Sequence, residues 1–159
     1  MVLAIGEQYP ANMDEVDRSI LAVLDKDGRI SNAELAERVG LSPSPCLRRV
    51  RRLERTGVIR GYRAVVDPAA IGRSLCVLVG VRLVRHARKD VVAFERAVTK
   101  LPDVRYAYHV AGNFDYILQV EVADLPAYEN FHANQLANLP SIAAVTSYVT
   151  MKTLSRATT

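Results

Sequence analysis

The segment Leu41–Tyr62, LSPSPCLRRVRRLERTGVIRGY, carries the most local information in the chain. On a helix of about 3.6 residues per turn, Cys46, Leu47, Val50 and Leu53 fall on one arc, while Arg48, Arg49, Arg51, Arg52 and Arg55 fall on the opposite one. Ser42-Pro43 or Ser44-Pro45 supplies an N-cap followed by a proline at the first helical position, and Gly57 supplies the stop. From Ser42 to Arg63 there are seven arginines against one acid, Glu54, a local charge of +6. A charged helix face is ordinarily a solvated one in which lysine and glutamate alternate. Here the signs do not alternate and nothing nearby in sequence offsets the arginines, so the pattern predicts a polyanionic partner, with guanidinium forks suited to phosphates and guanine edges.

Outward from that segment, charge is distributed unevenly. Residues 1–41 hold four basic and eight acidic groups, and residues 64–159 hold ten basic against eight acidic, within a net charge of +4. Basicity focused on one element differs from the diffuse coat of a general nucleic-acid binder. At 159 residues, 50% apolar and 24% charged, the chain has the composition of a folded protein of one ordinary domain or two small ones. No run is long enough to cross a bilayer, and MVLAIGEQYPAN at the start lacks the basic and hydrophobic regions of a signal peptide. Cys46 and Cys76 sit in apolar runs as expected free thiols, which suits a cytoplasmic protein. His86, His109 and His132 have no metal-ligand spacing, and no nucleophile with a recognisable base, phosphate loop or dinucleotide fingerprint is visible. The expectation is therefore neither an enzyme nor a metalloprotein, with no cofactor.

Before the arginine helix, Val16, Ile20, Leu21, Val23 and Leu24 recur at helical spacing up to Asp27-Gly28. Ser31-Asn32-Ala33-Glu34 then reads as a capping box opening a second helix with Leu35, Ala36 and Val39 buried. Two short helices joined by a glycine turn, the second one basic, make a helix-turn-helix whose later helix enters the major groove. Val58, Ile59, Tyr62, Val65 and Val66 read as a strand, a wing with Arg60 and Arg63 beside it.

The runs DEVDRSILAVLDKDGRIS (Asp14–Ser31) and AELAERVGLSPSPCLRRVRRLERTGVIRGYRAVVDPAAIG (Ala33–Gly72) resemble the DNA-binding half of the leucine-responsive and asparagine-activator (Lrp/AsnC, feast/famine) family of transcriptional regulators. Asp67-Pro68 and Ala69–Gly72 are then the hinge to a second domain. In that second half, Leu75–Val84 is apolar on both faces, Asp90–Leu101 has helical spacing, Val104–Val110 and Tyr116–Val122 alternate, Asp124 caps a helix to about Leu139, and Ile142–Leu154 is a long strand. Two βαβ halves of this kind make a split, ferredoxin-like sheet with both helices on one face. The other face, apolar because Leu75–Val84 leaves no polar side, predicts a homodimer formed sheet to sheet. The expected class is α+β: an N-terminal winged helix-turn-helix followed by a ferredoxin-like βαββαβ domain. The expected boundaries are an arm over 1–13, helix-turn-helix over 14–63, hinge strand and linker over 64–73, the second domain over 74–154 and a tail over 155–159. The resemblance makes that domain the family's regulatory (RAM) domain, which dimerises and can assemble further, for instance into an octamer.

The hairpin VAGNFDYILQV resembles the family's Gly-x-x-Asp-Tyr signature. A glycine turn beside Asp115 offers N–H donors for a carboxylate and a carboxylate for an ammonium group, the two needs of an amino acid, although Gly-Asn-Phe-Asp is also an ordinary hairpin loop. The resemblance implies an amino-acid effector lying between neighbouring dimers near His109, Gly112, Asn113, Phe114, Asp115, Tyr116, Leu125, Tyr148, Val149 and Thr150; Leu125, Tyr148, Val149 and Thr150 serve equally as core or interface packing. For double-stranded DNA the expected contacts are Ser42, Ser44 and Pro45 at the helix mouth, Arg48, Arg49 and Arg52 on bases and phosphates, and Arg51, Arg55, Arg60 and Arg63 on the backbone. Two other readings remain open. One is an architectural protein that wraps DNA with little sequence choice; the other is an enzyme such as a sirohaem decarboxylase, members of which resemble the same family and in which His109 is the residue of interest. A decarboxylase has no use for the polarised arginine helix.

Overall fold

The computed structural model describes residues 13–152. Residues 1–12 of the arm expected over 1–13, and the tail expected over 155–159, lie outside the described residues, whereas Met13, expected in the arm, packs on the helical core. The chain divides into two compact units, the first ending at Ala64 and the second beginning at Val65, each around its own core.

The first unit is built from α1 (Glu15–Lys26), α2 (Asn32–Arg38) and α3 (Pro43–Arg55). Helical spacing gathers Ile20, Leu35, Ala36, Cys46 and Leu53 into one buried cluster, with Val16, Leu21, Leu24 and Val50 against its rim. The capping box of α2 forms as expected: the Ser31 hydroxyl accepts the Glu34 N–H at 3.2 Å and the Glu34 carboxylate accepts the Ser31 N–H at 3.1 Å. A second box opens α1, where Asp14 accepts the Asp17 N–H at 2.9 Å and Asp17 accepts the Asp14 N–H at 3.2 Å. Ser42 is the N-cap residue of α3, but its hydroxyl makes no capping hydrogen bond. Pro43 and Pro45 lack N–H groups, so the first turn has fewer donors to satisfy. Gly57, at φ 75°, takes the left-handed conformation that ends α3.

The expected wing strand over Val58–Val66 does not form. Val58 and Ile59 turn into the helical core, the Ile59 N–H donating to the Leu53 carbonyl at 3.1 Å, and the Tyr62 hydroxyl donates to Glu54 at 3.0 Å. Val65 beyond them is fully exposed. Alternation produces a strand only where another backbone edge completes the ladder, and no strand pairs with this segment among the described residues. The expected hinge strand is likewise replaced by a 3-10 turn at Ala69–Ile71, started by the Asp67 carboxylate accepting the Ala69 N–H at 3.0 Å.

The second unit runs β1 (Leu75–Leu83), α4 (Arg88–Val98), β2 (Val104–His109), β3 (Tyr116–Val122), α5 (Leu125–Asn134) and β4 (Ile142–Val149). Its sheet has the order β2-β3-β1-β4 with every neighbouring pair antiparallel, the ferredoxin-like arrangement expected from two βαβ halves. α5 stops short of Leu139 and a 3-10 turn over Leu136–Asn138 follows; Leu136 and Leu139 are buried all the same, so their spacing imitates a continuing helix. β4 ends at Val149, earlier than the expected Leu154.

Alternation along β1 sends Val77, Val79, Val81 and Leu83 into a core with Phe94, Val98, Tyr128 and Phe131 from the helices. The opposite face carries Cys76, Leu78, Gly80 and Arg82 of β1, Tyr106 and Tyr108 of β2, Ile117, Gln119 and Glu121 of β3, and Ala144, Thr146 and Tyr148 of β4. That face is not the continuous apolar surface expected. It mixes Leu78, Tyr106, Tyr108, Ile117 and Tyr148 with Arg82, Gln119 and Glu121, because β1 is strictly apolar only on the helix side and carries glycine and arginine on the other.

Candidate nucleic-acid interface and effector turn

The arginines of α3 separate into two stripes. Arg48, Arg51 and Arg55, at i, i+3 and i+7, are exposed, as are Ser42, Ser44, Arg60 and Arg63, while Pro45 is half-buried. Leu47, expected on the core arc, is 37% exposed and lies among the arginines. Arg49 and Arg52 turn back towards α1. Arg49 Nη1 donates to Asp17 Oδ1 at 2.9 Å and to Asp14 Oδ2 at 2.7 Å, and Arg52 Nη2 donates to Asp17 Oδ2. The Asp17 side chain has 0% exposure, against 28% for Arg49 and 38% for Arg52. The expectation that nothing offsets the arginines is thereby corrected for two of the five. The offsetting acids lie 32 to 35 residues earlier in the chain and reach α3 only through helix packing. Adding those two aspartates to the +6 of Ser42–Arg63 leaves +4. The Asp17 N–H and the Arg49 guanidinium hold the Asp14 carboxyl below its ordinary range. All five arginines, with Ser44 and Leu47, line an open recess of about 580 Å³.

In the second unit the turn between β2 and β3 is tied down from several sides. The Asp115 N–H donates to the Val81 carbonyl at 2.9 Å and its carbonyl accepts the Val110 N–H at 2.9 Å. The Asp115 carboxylate accepts the Leu83 N–H at 2.7 Å and meets His86 Nε2 at 2.8 Å. Those partners, the Leu83 N–H first, keep its carboxyl below the ordinary range. The carboxylate expected to be free for a ligand ammonium is therefore already partnered within the chain.

His109 stacks on Tyr116 with ring centroids 4.7 Å apart, and the Tyr116 hydroxyl donates to Glu95 at 2.8 Å. Burial and then Glu95 push that phenol up to about 12. Phe114 covers Gly80 so closely that a Cβ there would lie 2.7 Å from its ring, and it meets Tyr148 edge-on at 6.4 Å. Asn113 and Gly112 are exposed beside it, Gly112 at φ 155°.

The other candidates lie elsewhere. Thr150 donates its N–H and its hydroxyl to the Cys76 carbonyl at 3.0 and 2.7 Å, Val149 pairs with Val77, and Leu125 follows three residues after Val122, the partner of Leu75. From Cys76 to Leu83 is seven residues of strand, roughly 23 Å at about 3.3 Å per residue. One chain thus brings Tyr148 to the turn through Phe114 and leaves Leu125, Val149 and Thr150 towards the other end of the sheet.

Among the described residues no group of three or more His, Cys, Asp or Glu side chains is placed to hold a metal ion, and no helix is long and apolar enough to cross a membrane. Cys46 is buried with its thiol pushed up by that burial, and Cys76 is partly exposed.

Asp14, Asp17 and His86 were absent from the sequence-derived sites. For Asp17 a signal existed: it precedes Ile20, Leu21 and Leu24 by three, four and seven residues, an acid on the apolar stripe, and Asp14-x-x-Asp17 has the spacing of a capping box. For His86, 29 residues before Asp115, there was none.

Residues 13–60 match a family model described as winged helix-turn-helix DNA-binding, and residues 76–159 match one described as the Lrp/AsnC ligand binding domain. The chain is 45% identical over 148 residues to a leucine-responsive regulatory protein of Serratia marcescens, covering 92% of this chain and 90% of that protein. It is 46% identical over 141 residues to that of Escherichia coli K12, covering 89% and 86%. Similar solved structures include an AsnC family transcriptional regulator from Agrobacterium tumefaciens, at 35% identity, TM-score 0.85 and coverage of 91% and 94%. A transcriptional regulator from Neisseria meningitidis, solved in complex with L-Met, also has 35% identity and TM-score 0.85, with coverage of 91% and 93%.

Proposed function

The chain belongs to the Lrp/AsnC family of DNA-binding transcriptional regulators, and from that premise we propose that it binds duplex DNA through α3 and answers to a small amino acid held where copies of the chain meet. The observation that carries the first part is the stripe of Arg48, Arg51 and Arg55, exposed on the side of α3 away from buried Cys46 and Leu53. In this reading Arg48 and Arg51 reach base edges and phosphates from the major groove, Arg55, Arg60 and Arg63 hold the backbone, and Ser42 and Ser44 meet a phosphate at the helix mouth, with Pro45 shaping its wall. Arg49 and Arg52, bound to Asp17, form the floor of the recess.

For the effector, the turn supplies N–H donors at Gly112 and Asn113 for a carboxylate, and Phe114 and Tyr148 supply an apolar wall. His109 and Tyr116 back the turn, and Asp115 fixes its shape through Leu83. Leu125, Val149 and Thr150 come from another copy, since one chain leaves them at the far end of the sheet. The copies pair sheet to sheet across the face bearing Leu78, Ile117 and Tyr148, and pairs assemble further, an octamer being one such assembly, in the cytoplasm. The L-Met held by the Neisseria relative is a ligand of the chemistry proposed.

A melting screen of the full chain against the twenty amino acids tests the effector: a ligand at 100 times its Kd adds about 2.7 kcal/mol of apparent stability. Fluorescence anisotropy with labelled duplex, with and without the hit, tests the rest. An intact protein that retains no duplex in dilute salt refutes the DNA-binding proposal.

A further inference from the structure

We propose that Asp14 and Asp17 are specificity-determining residues: they hold Arg49 and Arg52 against α1 and so withhold two guanidiniums from the phosphate backbone of non-specific DNA. The inference rests on the reading that α3 meets duplex DNA.

A carboxylate with no exposure is costly to bury unless it is paired and hydrogen-bonded. Asp17 meets that condition through the Asp14 N–H on Oδ2, Arg49 on Oδ1 and Arg52 on Oδ2. Asp14 adds a second carboxylate to Arg49. Two guanidiniums and two carboxylates make a neutral group whose arginines line an otherwise basic recess. Non-specific affinity grows with the number of phosphates neutralised, because each releases counterions, whereas sequence discrimination depends on how firmly the reading side chains are presented. Sequestering two arginines lowers the first quantity. Bracing α3 against α1 through its own side chains serves the second.

The test is the salt dependence of full-chain binding to a labelled duplex of arbitrary sequence, by anisotropy across a potassium chloride series. Asp14→Asn is the cleaner variant, since Asp14 is half exposed and asparagine is an equally good N-cap, so the helix start is kept while the charge is lost. Asp17→Asn is the stronger one; where circular dichroism shows that it does not fold, Asp14→Asn decides alone. The expected result is tighter non-specific binding, with the slope of log K on log salt steeper by up to about 0.9 for Asp14→Asn, which leaves Arg49 its Asp17 partner, and by up to about 1.8 for Asp17→Asn. Arg48→Gln, in the unaltered background, makes it shallower by about 0.9. A contribution to folding alone lowers affinity and cannot produce that gain. Folded aspartate variants with unchanged or weaker non-specific binding overturn the proposal while leaving the DNA-binding reading intact. Wild-type protein that retains no duplex in dilute salt overturns both.

Discussion

Replacing Phe94 by alanine should unfold the second unit selectively. Phe94 is 0% exposed, lies in the core beneath the sheet, and has its ring 4.7 Å from that of Tyr116. Truncating a buried phenylalanine costs about 3–5 kcal/mol through lost transfer energy and the cavity left behind, and the tilted aromatic pair adds part of a further ~0.5–1.5 kcal/mol. Against the ~5–15 kcal/mol that holds a typical domain, that loss leaves the second unit marginal. The first unit has a separate core and loses nothing directly. Urea unfolding can be followed by near-ultraviolet dichroism, to which Tyr106, Tyr108, Tyr116, Tyr128 and Tyr148 of the second unit contribute and Tyr62 of the first, and in parallel by far-ultraviolet dichroism. The aromatic transition should move to much lower urea, while a helical transition remains near its wild-type midpoint; both proteins are compared at one concentration, because assembly shifts apparent stability. The amino-acid response should vanish with the aromatic signal. A loss below about 1.5 kcal/mol, or equal movement of both transitions, would refute the reasoning from this core.

Other outcomes follow from the same structure. Asp115 has its carboxyl lowered by the Leu83 N–H and then by His86, so its contribution is present above the ordinary carboxylate pKa and is lost as pH falls through the lowered folded value. Acid titration of the second unit's melting temperature should show that loss, and Asp115→Asn should flatten it; an unchanged acid limb would contradict the assigned hydrogen bonds. Gly80→Val must displace the Phe114 ring and should cost about 1–3 kcal/mol, read as a lower melting temperature with a weakened amino-acid response. Alkylation should modify Cys76 in the folded protein and reach Cys46, buried with a raised thiol pKa, only on unfolding. Because Cys76 lies on the sheet face proposed for pairing, its labelling should slow as protein concentration rises; a concentration-independent rate argues for another pairing surface.

Most of the architecture was legible because local signals agreed with one another. The Ser31/Glu34 box, the apolar spacing through Ile20 and Leu35, and the left-handed Gly57 each specify a helix end or face without tertiary help. The alternation in Tyr116–Val122 likewise matches β3 residue for residue. What escaped was non-local. Val58 and Ile59 alternate like a strand, yet the helices recruit them and no ladder partner follows. The bare sheet face looked apolar when β1 was judged from composition, whereas Arg82 and, in the register, Gln119 and Glu121 make it mixed. The arginine helix was legible as basic, but the return of Arg49 and Arg52 to Asp17 depends on how α1 packs, which no window around Leu41–Tyr62 contains.

The separation of the effector candidates along β1 carries a consequence for pharmacology. If Gly112 and Asn113 come from one subunit and Leu125 and Thr150 from a neighbour, the small molecule behaves as a molecular glue, and its apparent potency depends on how much protein is in the tube. Isotherms collected at widely different dilutions should not superimpose, and the cell's own abundance of the regulator would then tune its sensitivity to nutrients.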